Sequence, residues 1–180
     1  AWVTLDLISS IGPKSAQRLL EIFETPENIL SAPIAKIKET GFLNAAQLKS
    51  LAAGPDREAV EKAFAALKAH GAHAVGFDDP SYPEVLKQIE DPPLVLYVKG
   101  SLADLEPAVA IVGTRAPSHY GRETAFSLAR DLSAKGVTVV SGLARGIDTA
   151  AHEGALEGMA STVAVLGSGI DVIYPPENAG

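Results

Sequence analysis

Three short segments combine glycine with residue types that bind anions. They are Gly113-Thr114-Arg115, Ser141-Gly142-Leu143-Ala144-Arg145-Gly146 and Gly167-Ser168-Gly169, and each follows an apolar run directly. Glycine lets a backbone turn with positive φ and lets a ligand approach without meeting a Cβ. Backbone N–H groups exposed in such turns bind anions, phosphate above all. The three segments therefore predict sites where phosphate groups are held by the backbone.

Side chains in these segments add charge and hydroxyl groups. Arg115 follows the first glycine directly, so its guanidinium is predicted to pair with a phosphate held by the Gly113 and Gly142 amides. Arg145 has two open interpretations, a phosphate contact or a solvated side chain. Ser141 is placed either to cap or to donate its hydroxyl to a phosphate, and Asp148 is predicted to cap the helix that follows.

The elements around these turns alternate regularly. Apolar runs predict strands over 108–112, 137–140 and 162–166, and amphipathic stretches predict helices over 122–135 and 149–157. This β-α-β-α-β order, with strands apolar throughout, is typical of a parallel sheet covered on both faces. Parallel strands end at one edge of their sheet, which is where open α/β sheets bind ligands. The three turns are therefore predicted to meet there.

Other kinds of site find little support. No segment has the full G-x-G-x-x-G or G-x-x-x-x-G-K-[ST] pattern, which argues against a dinucleotide site and a P-loop. The histidines lack metal-ligand spacing, and Ser168 lacks the glycine that a nucleophile elbow needs. We predict no catalytic set, no cofactor and no metal site.

The first 70 residues have a different character. Helical spacing predicts helices near 26–31, 33–40, 44–53 and 56–70. Asp56 is predicted to cap the N-terminus of the last of these helices, and Gly71 to follow its C-terminus. Strands are predicted over 72–77 and 94–98. We place the boundary near residue 71, between an all-helical domain (1–70) and a Rossmann-like α/β domain (71–180).

Residues 7–20 are similar to a helix-hairpin-helix motif, so the helical domain is expected to be of the SAM-like or helix-hairpin-helix type. In that motif a helix N-terminus meets a DNA phosphate, so Gly12 and Lys14 are candidate contacts to a duplex backbone. Ser10 stands where the motif has its first glycine, and residues 37–52 resemble a weaker second copy. The alternative is a hairpin kept for packing or for binding a protein.

Composition limits the partners of the chain. The 180 residues are 47% apolar, carry a net charge of −7 and include no cysteine. This excludes a disulfide framework, and no apolar run is long enough to span a membrane, so a cytoplasmic location is expected. Residues 101–180 contain five basic and nine acidic groups. Any nucleic-acid site must therefore be local, because no broad positive face is available.

Four motifs in order resemble the DNA processing protein A (DprA/Smf) family. They are Asp91-Pro92-Pro93-Leu94-Val95-Leu96-Tyr97-Val98-Lys99-Gly100, Ile111-Val112-Gly113-Thr114-Arg115, Ser141-Gly142-Leu143-Ala144-Arg145-Gly146-Ile147-Asp148-Thr149-Ala150-Ala151-His152, and Leu166-Gly167-Ser168-Gly169-Ile170-Asp171 with Tyr174-Pro175-Pro176-Glu177-Asn178. The resemblance covers nearly the whole chain. It implies a cytoplasmic protein, not an enzyme, that binds and protects incoming single-stranded DNA during transformation and helps load the recombinase RecA.

The resemblance also implies where the strand would bind. Carried onto this sequence, the residues that grip the phosphate backbone lie in the three turns: Gly113, Thr114, Arg115, Ser141, Gly142, Ala144, Arg145, Gly146, Gly167 and Gly169. The family fold continues past residue 180 with further strands, a basic segment and a dimer surface. We therefore expect a fragment with an incomplete Rossmann-like sheet, whose homodimer forms through a region beyond this chain.

Two rival functions stay open from the residues. The same glycine-rich edge would suit a mononucleotide phosphate in a nucleotide-binding or nucleotide-hydrolysing enzyme of a related Rossmann-like fold. The chain could also be a protein-interaction scaffold whose helical domain docks a partner while DNA binding stays weak.

Overall fold

The chain forms two compact units, Ala1–Leu102 and Ala103–Gly180. The structure is a computed structural model that describes residues 1–172 and 174–178. No helix in this part of the chain has the length and apolar content needed to cross a bilayer.

Helices make up most of the first unit. Their bounds are α1 Trp2–Asp6, α2 Pro13–Phe23, α3 Pro26–Ser31, α4 Ile34–Glu39, α5 Ala45–Ala53 and α6 Arg57–Ala69. Capping side chains explain several starts, since Thr25 accepts a hydrogen bond from Asn28 N at 3.1 Å and Asn44 forms a capping box with Gln47. Asp56 accepts from Glu58 N at 2.9 Å, which confirms the predicted N-cap.

The turn between α1 and α2 contains Ser10, the residue that stands where the helix-hairpin-helix motif has its first glycine. Ser10 adopts φ +70°, a left-handed conformation that glycine adopts at lower cost. From α5, Gln47 Nε2 donates to the Ser10 carbonyl at 3.3 Å and to Ser15 Oγ at 2.9 Å. A side chain from another helix thus holds this turn in place.

A two-stranded ribbon belongs to the same unit as these helices. Strand β1 (Ala72–Gly76) pairs antiparallel with β2 (Val95–Lys99), and the short helix α7 (Glu84–Lys87) lies between them in sequence. Leu94 and Val95 are buried in the helical core, and Ala74 packs against it. The compact unit therefore extends to Leu102, about thirty residues past the boundary expected from the change of character at 70/71. The assignment of residues 1–70 to a SAM-like domain stays a prediction.

The second unit contains a three-stranded parallel sheet in the order β3-β4-β5. Its strands are β3 Ala108–Ala110, β4 Thr138–Ser141 and β5 Thr162–Ala164, with helices α8 (His119–Ser133) and α9 (Ile147–Glu157) as crossovers. The β-α-β-α-β order is as predicted. Helix α8 begins earlier than expected because Ser118 Oγ accepts from Gly121 N at 3.1 Å and forms the N-cap.

Small residues let α8 and α9 pack closely together. Ala129, Ala151 and Ala155 are fully buried with Val139 of the central strand. The sequence predicted strands covered on both faces, but all three residues of β3 are exposed. Helices α8 and α9 pack on Val139 of the central strand, whereas β3 lies at the side of the sheet with a single neighbouring strand in the described part of the chain, so the predicted cover on both faces is wrong for β3.

Candidate nucleic-acid interface

The three glycine-bearing turns lie at one edge of the parallel sheet. Ala110 pairs with Val140, and Ser141 pairs with Ala164, so the three strands end side by side. The prediction that these turns follow neighbouring parallel strands is confirmed. The chemistry at the edge differs from the expectation in several ways.

A buried carboxylate occupies the two amides that the sequence assigned to a phosphate. Asp148 Oδ1 accepts from Gly113 N at 3.3 Å, and its Oδ2 accepts from Gly142 N at 3.1 Å. Asp148 is only 7% exposed. The predicted phosphate contact of these two N–H groups is therefore wrong in this structure, because an internal anion holds both. The predicted capping role of Asp148 is also wrong, since Gly146 is the N-cap of α9.

The hydroxyl of Ser141 is likewise used inside the fold. It donates to the Ile111 carbonyl at 2.7 Å, and the residue is 2% exposed. The hydroxyl ties β4 to the segment that follows β3, so it neither caps a helix nor faces a ligand. Ser141, Gly113, Gly142 and Asp148 together brace the first two turns from within.

Gly146 brings the first turn against the start of α9. It adopts φ +90°, and a Cβ built on it would overlap the Thr114 carbonyl oxygen and lie 2.9 Å from Arg115 Cα. The Ile147 N–H donates to the same Thr114 carbonyl at 3.2 Å. Only glycine satisfies both the backbone conformation and the contact. Thr114 and Arg115 are thus held against the first residues of α9.

Arg115 is exposed and has no ion pair among the described residues. The Ala116 N–H donates to Thr114 Oγ1 at 3.2 Å, which tightens the turn on either side of the arginine. Within residues 1–172 and 174–178, the N–H groups of Thr114 and Arg115 donate to no acceptor. Two open anion-binding N–H groups at this edge therefore lie one and two residues beyond Gly113.

Arg145 is paired, unlike Arg115. Its Nε donates to Glu177 Oε1 at 2.6 Å and its Nη2 to Oε2 at 3.4 Å, while the guanidinium lies 5.8 Å from the centre of the Tyr174 ring. The hydrogen bond from Arg145 lowers the pKa of Glu177, so the carboxylate stays charged. Both side chains are about half exposed. In this structure the side chain is thus ion-paired, and a phosphate contact of Arg145 requires that Glu177 be displaced.

The other candidate residues of these turns differ in their surroundings. The Ala144 carbonyl accepts from both N and Oγ1 of Thr149, at 3.1 and 2.7 Å, which fixes the second turn. Gly167 is exposed, and a Cβ on it would meet nothing within 4 Å. Gly169 lies beside the Asp171 carboxylate. The third turn is thus more open, and it carries an acidic group.

A histidine on α9 is buried against strands β4 and β5. His152 Nδ1 lies 2.8 Å from Thr162 Oγ1, whose single proton is donated to the Val139 carbonyl at 2.8 Å. The ring must therefore donate from Nδ1, which leaves Nε2 without a partner among the described residues. Burial lowers the pKa of His152, against the opposing effects of the Asp148 charge and the Ser141 backbone, and so favours the neutral ring.

The candidate contacts of the helical hairpin are placed differently. Gly12 is the N-cap of α2, and Lys14 lies in its first turn. Lys14 Nζ is 3.1 Å from Glu90 and 3.4 Å from Asp91, and these carboxylates raise its pKa. The positive charge that a DNA phosphate would need is therefore already paired.

Sequence reasoning missed Tyr120, because it placed the start of α8 at residue 122. The side chain is 79% exposed and lies five residues after Arg115. An aromatic residue so close to an arginine in a glycine-rich turn was the available signal.

Comparisons with known proteins agree with the resemblance found in the sequence. The sequence model of the DNA recombination-mediator protein A family matches residues 73–180. A protein Smf from Synechocystis is 38% identical over 186 residues, which covers 98% of this chain and 46% of the relative. The chain thus spans about half the length of the curated relatives it matches.

Solved structures are similar as well. DNA processing protein A from Streptococcus pneumoniae superposes with a TM-score of 0.77 at 30% identity, covering 99% of this chain and 60% of that protein. DNA processing protein A from Helicobacter pylori, studied for its single-stranded DNA binding mode, gives a TM-score of 0.52 at 34% identity. That match covers 59% of this chain and 47% of the neighbour.

Proposed function

The chain belongs to the DNA recombination-mediator protein A family, and from this premise we propose that its second unit binds single-stranded DNA. The binding site is the carboxyl edge of the parallel sheet. Binding there involves the phosphate backbone, so it is independent of sequence, and no bond in the strand is broken.

The exposed, unpaired guanidinium of Arg115 is the observation that supports this proposal. It is an exposed guanidinium at the sheet edge with no ion pair among the described residues, whereas Arg122, Arg130 and Arg145 each have a carboxylate partner. An unpaired arginine loses no internal ion pair when it binds a phosphate. The open N–H groups of Thr114 and Arg115 add two donors beside it.

The remaining candidate residues support this contact in different ways. Gly113, Ser141 and Gly142 shape the edge through their internal hydrogen bonds. In the second turn, Ala144, Arg145 and Gly146 flank the bound DNA. Arg145 exchanges its ion pair with Glu177 for a DNA phosphate. Gly167 and Gly169 border the site at the third turn.

The wider role follows from the family and is part of the same proposal. The protein protects incoming DNA during transformation, helps load RecA, and forms a homodimer. The Helicobacter pylori neighbour supports the choice of ligand, since single-stranded DNA is what that protein binds. With Lys14 paired, the helical hairpin is better suited to packing or to a protein partner than to a duplex.

Replacing Arg115 with alanine tests the proposal directly. Loss of a charged hydrogen bond of about 1.5–3 kcal/mol predicts about 10- to 150-fold weaker binding of oligo(dT), measured by fluorescence anisotropy. The slope of log K against log salt should fall by about 0.7, because one phosphate contact on a single strand is lost.

Arg130→Ala is the matched control. It removes the same charge from the same unit, but Arg130 is paired with Asp131 on the last turn of α8, far along the helix from the edge. Its affinity and salt slope should match the unchanged protein. If Arg115→Ala binds oligo(dT) as tightly as Arg130→Ala does, the assignment of Arg115 is refuted. If AMP binds more tightly than the oligonucleotide, the nucleotide-binding alternative is favoured.

A further inference from the structure

Tyr120 is a tyrosine without a structural task in the described part of the chain. The other tyrosines each have a partner: Tyr82 donates to the Pro93 carbonyl at 2.8 Å, Tyr97 donates to Asp6 at 2.8 Å, and Tyr174 lies beside Arg145. Within residues 1–172 and 174–178, Tyr120 has neither a hydrogen bond nor a ring contact, and its exposure is 79%. Its ring is available to a ligand.

The backbone around Tyr120 is fixed next to that of Arg115. Gly121 N donates to Ser118 Oγ at 3.1 Å, so the first turn of α8 is capped. A Cβ on Gly121 would lie 3.8 Å from Ile147 Cδ1, and the Arg115 backbone contacts the preceding residue, Gly146. Both ends of segment 115–121 therefore lie on the start of α9, one at its N-cap and the other at its first residue.

Segment 115–121 is also tied at its first end by other contacts. The Ile147 side chain packs directly on Gly113, where a Cβ would lie 2.7 Å from Ile147 Cγ1. The Thr114 carbonyl accepts from Ile147 N at 3.2 Å. Arg115 and Tyr120 thus extend from one braced segment, which limits the conformational entropy lost when a ligand binds both.

We propose that Tyr120 is a stacking platform for one base of the strand whose phosphate is held by Arg115. The inference rests on the proposed function and adds a base contact to it. Along a single strand, phosphates and bases alternate at each nucleotide, and proteins bind such strands by combining cations with aromatic rings. Every base presents a π-face, so this contact keeps the binding independent of sequence.

The experiment compares two ligands with the same phosphates. One is oligo(dT), and the other is an oligonucleotide of equal length built from abasic nucleotides. Tyr120→Ala should weaken binding of oligo(dT) by about 5- to 100-fold, as expected for one stacked base, and should change binding of the abasic strand less than about 2-fold. Tyr120→Phe keeps the ring and should bind both ligands as the unchanged protein does.

Leu156→Ala is the control for loss of an exposed apolar side chain. Leu156 is 74% exposed near the far end of α9, and its removal should change neither affinity. Circular dichroism of all variants checks that the fold is kept.

The outcomes separate this inference from the proposed function. Arg115→Ala should weaken binding of both ligands to the same extent, since both carry phosphate. If Arg115→Ala has no effect on either ligand, the phosphate assignment fails whatever Tyr120 does. If Tyr120→Ala weakens both ligands equally or leaves oligo(dT) binding unchanged, or if Tyr120→Phe weakens binding as alanine does, the stacking role is overturned.

Discussion

Two glycine-to-helix junctions in this molecule have similar sequence signals and different structures. In the first unit, Gly12 opens α2 with Lys14 in the first turn. In the second unit, Gly146 opens α9 next to Arg115. The lysine is paired with Glu90 and Asp91, whereas the arginine has no ion pair among the described residues. A glycine and a nearby cation therefore do not define an anion site until the partners of the cation are known.

The glycines of the two junctions differ as well. A Cβ on Gly12 would meet nothing within 4 Å, and its φ of −86° suits any residue. Gly146 has positive φ and lies against the backbone of Thr114 and Arg115. The first junction is a helix start at the surface, and the second is a packed joint between two loops.

Gly146→Ala should have the largest effect on stability. Backbone strain and the overlap with the Thr114 carbonyl predict a loss of about 3 kcal/mol or more in the second unit. Gly12→Ala should cost less than about 1 kcal/mol, since it only weakens an N-cap. Hydrogen exchange, resolved along the chain, measures the second unit, and fluorescence of Trp2 follows the first. Similar costs for the two substitutions would erase the distinction between these junctions.

Asp148→Asn should have the next largest effect on stability. The asparagine side chain can accept a hydrogen bond from only one of the two N–H groups, and its NH₂ would face the other donor. The free energy of unfolding should therefore fall by about 1–3 kcal/mol. We also expect weaker oligo(dT) binding, because the two turns lose their shared anchor. Hydrogen exchange and anisotropy measure the two effects. Tighter DNA binding would contradict this interpretation and show that the carboxylate competes with phosphate for the amides.

Lys14→Ala should have the smallest effect. Its ion pairs are exposed, so the free energy of unfolding should change by less than about 0.5 kcal/mol. Because the charge is already paired, affinity for single-stranded or duplex DNA should change less than about 2-fold. Titration of both DNA forms by anisotropy checks this. A loss comparable to that of Arg115→Ala would make the helical hairpin a DNA-binding element after all.

The sequence predicted local elements well, because their signals are local. The bounds of α3 and α5 follow from Pro26 at the first helical position and from Asn44 as an N-cap. The parallel strand order follows from apolar runs that alternate with amphipathic stretches. Ser10 is a partial exception, since its residue type hides a turn conformation that Gln47 stabilises from a distance.

The chemistry of the edge could be predicted only in part, because it depends on contacts between distant residues. Asp148 accepts from Gly113, 35 positions away, and from Gly142, and so removes two amides from the predicted phosphate site. Ser141 reaches back to Ile111, and Lys14 meets Glu90 across 76 positions. None of these pairs has a spacing pattern that a single sequence reveals.

The hydrogen-bonded His152 ring can report how often α9 separates from the sheet of the second unit. Its Nδ1 proton is shared with Thr162, whose hydroxyl is committed to the Val139 carbonyl across the sheet. Because His152 is 6% exposed, we expect water to reach that proton when α9 separates from β4 and β5. Its exchange lifetime in a proton NMR spectrum therefore measures how often the helix that bears Asp148 detaches from the strands it braces.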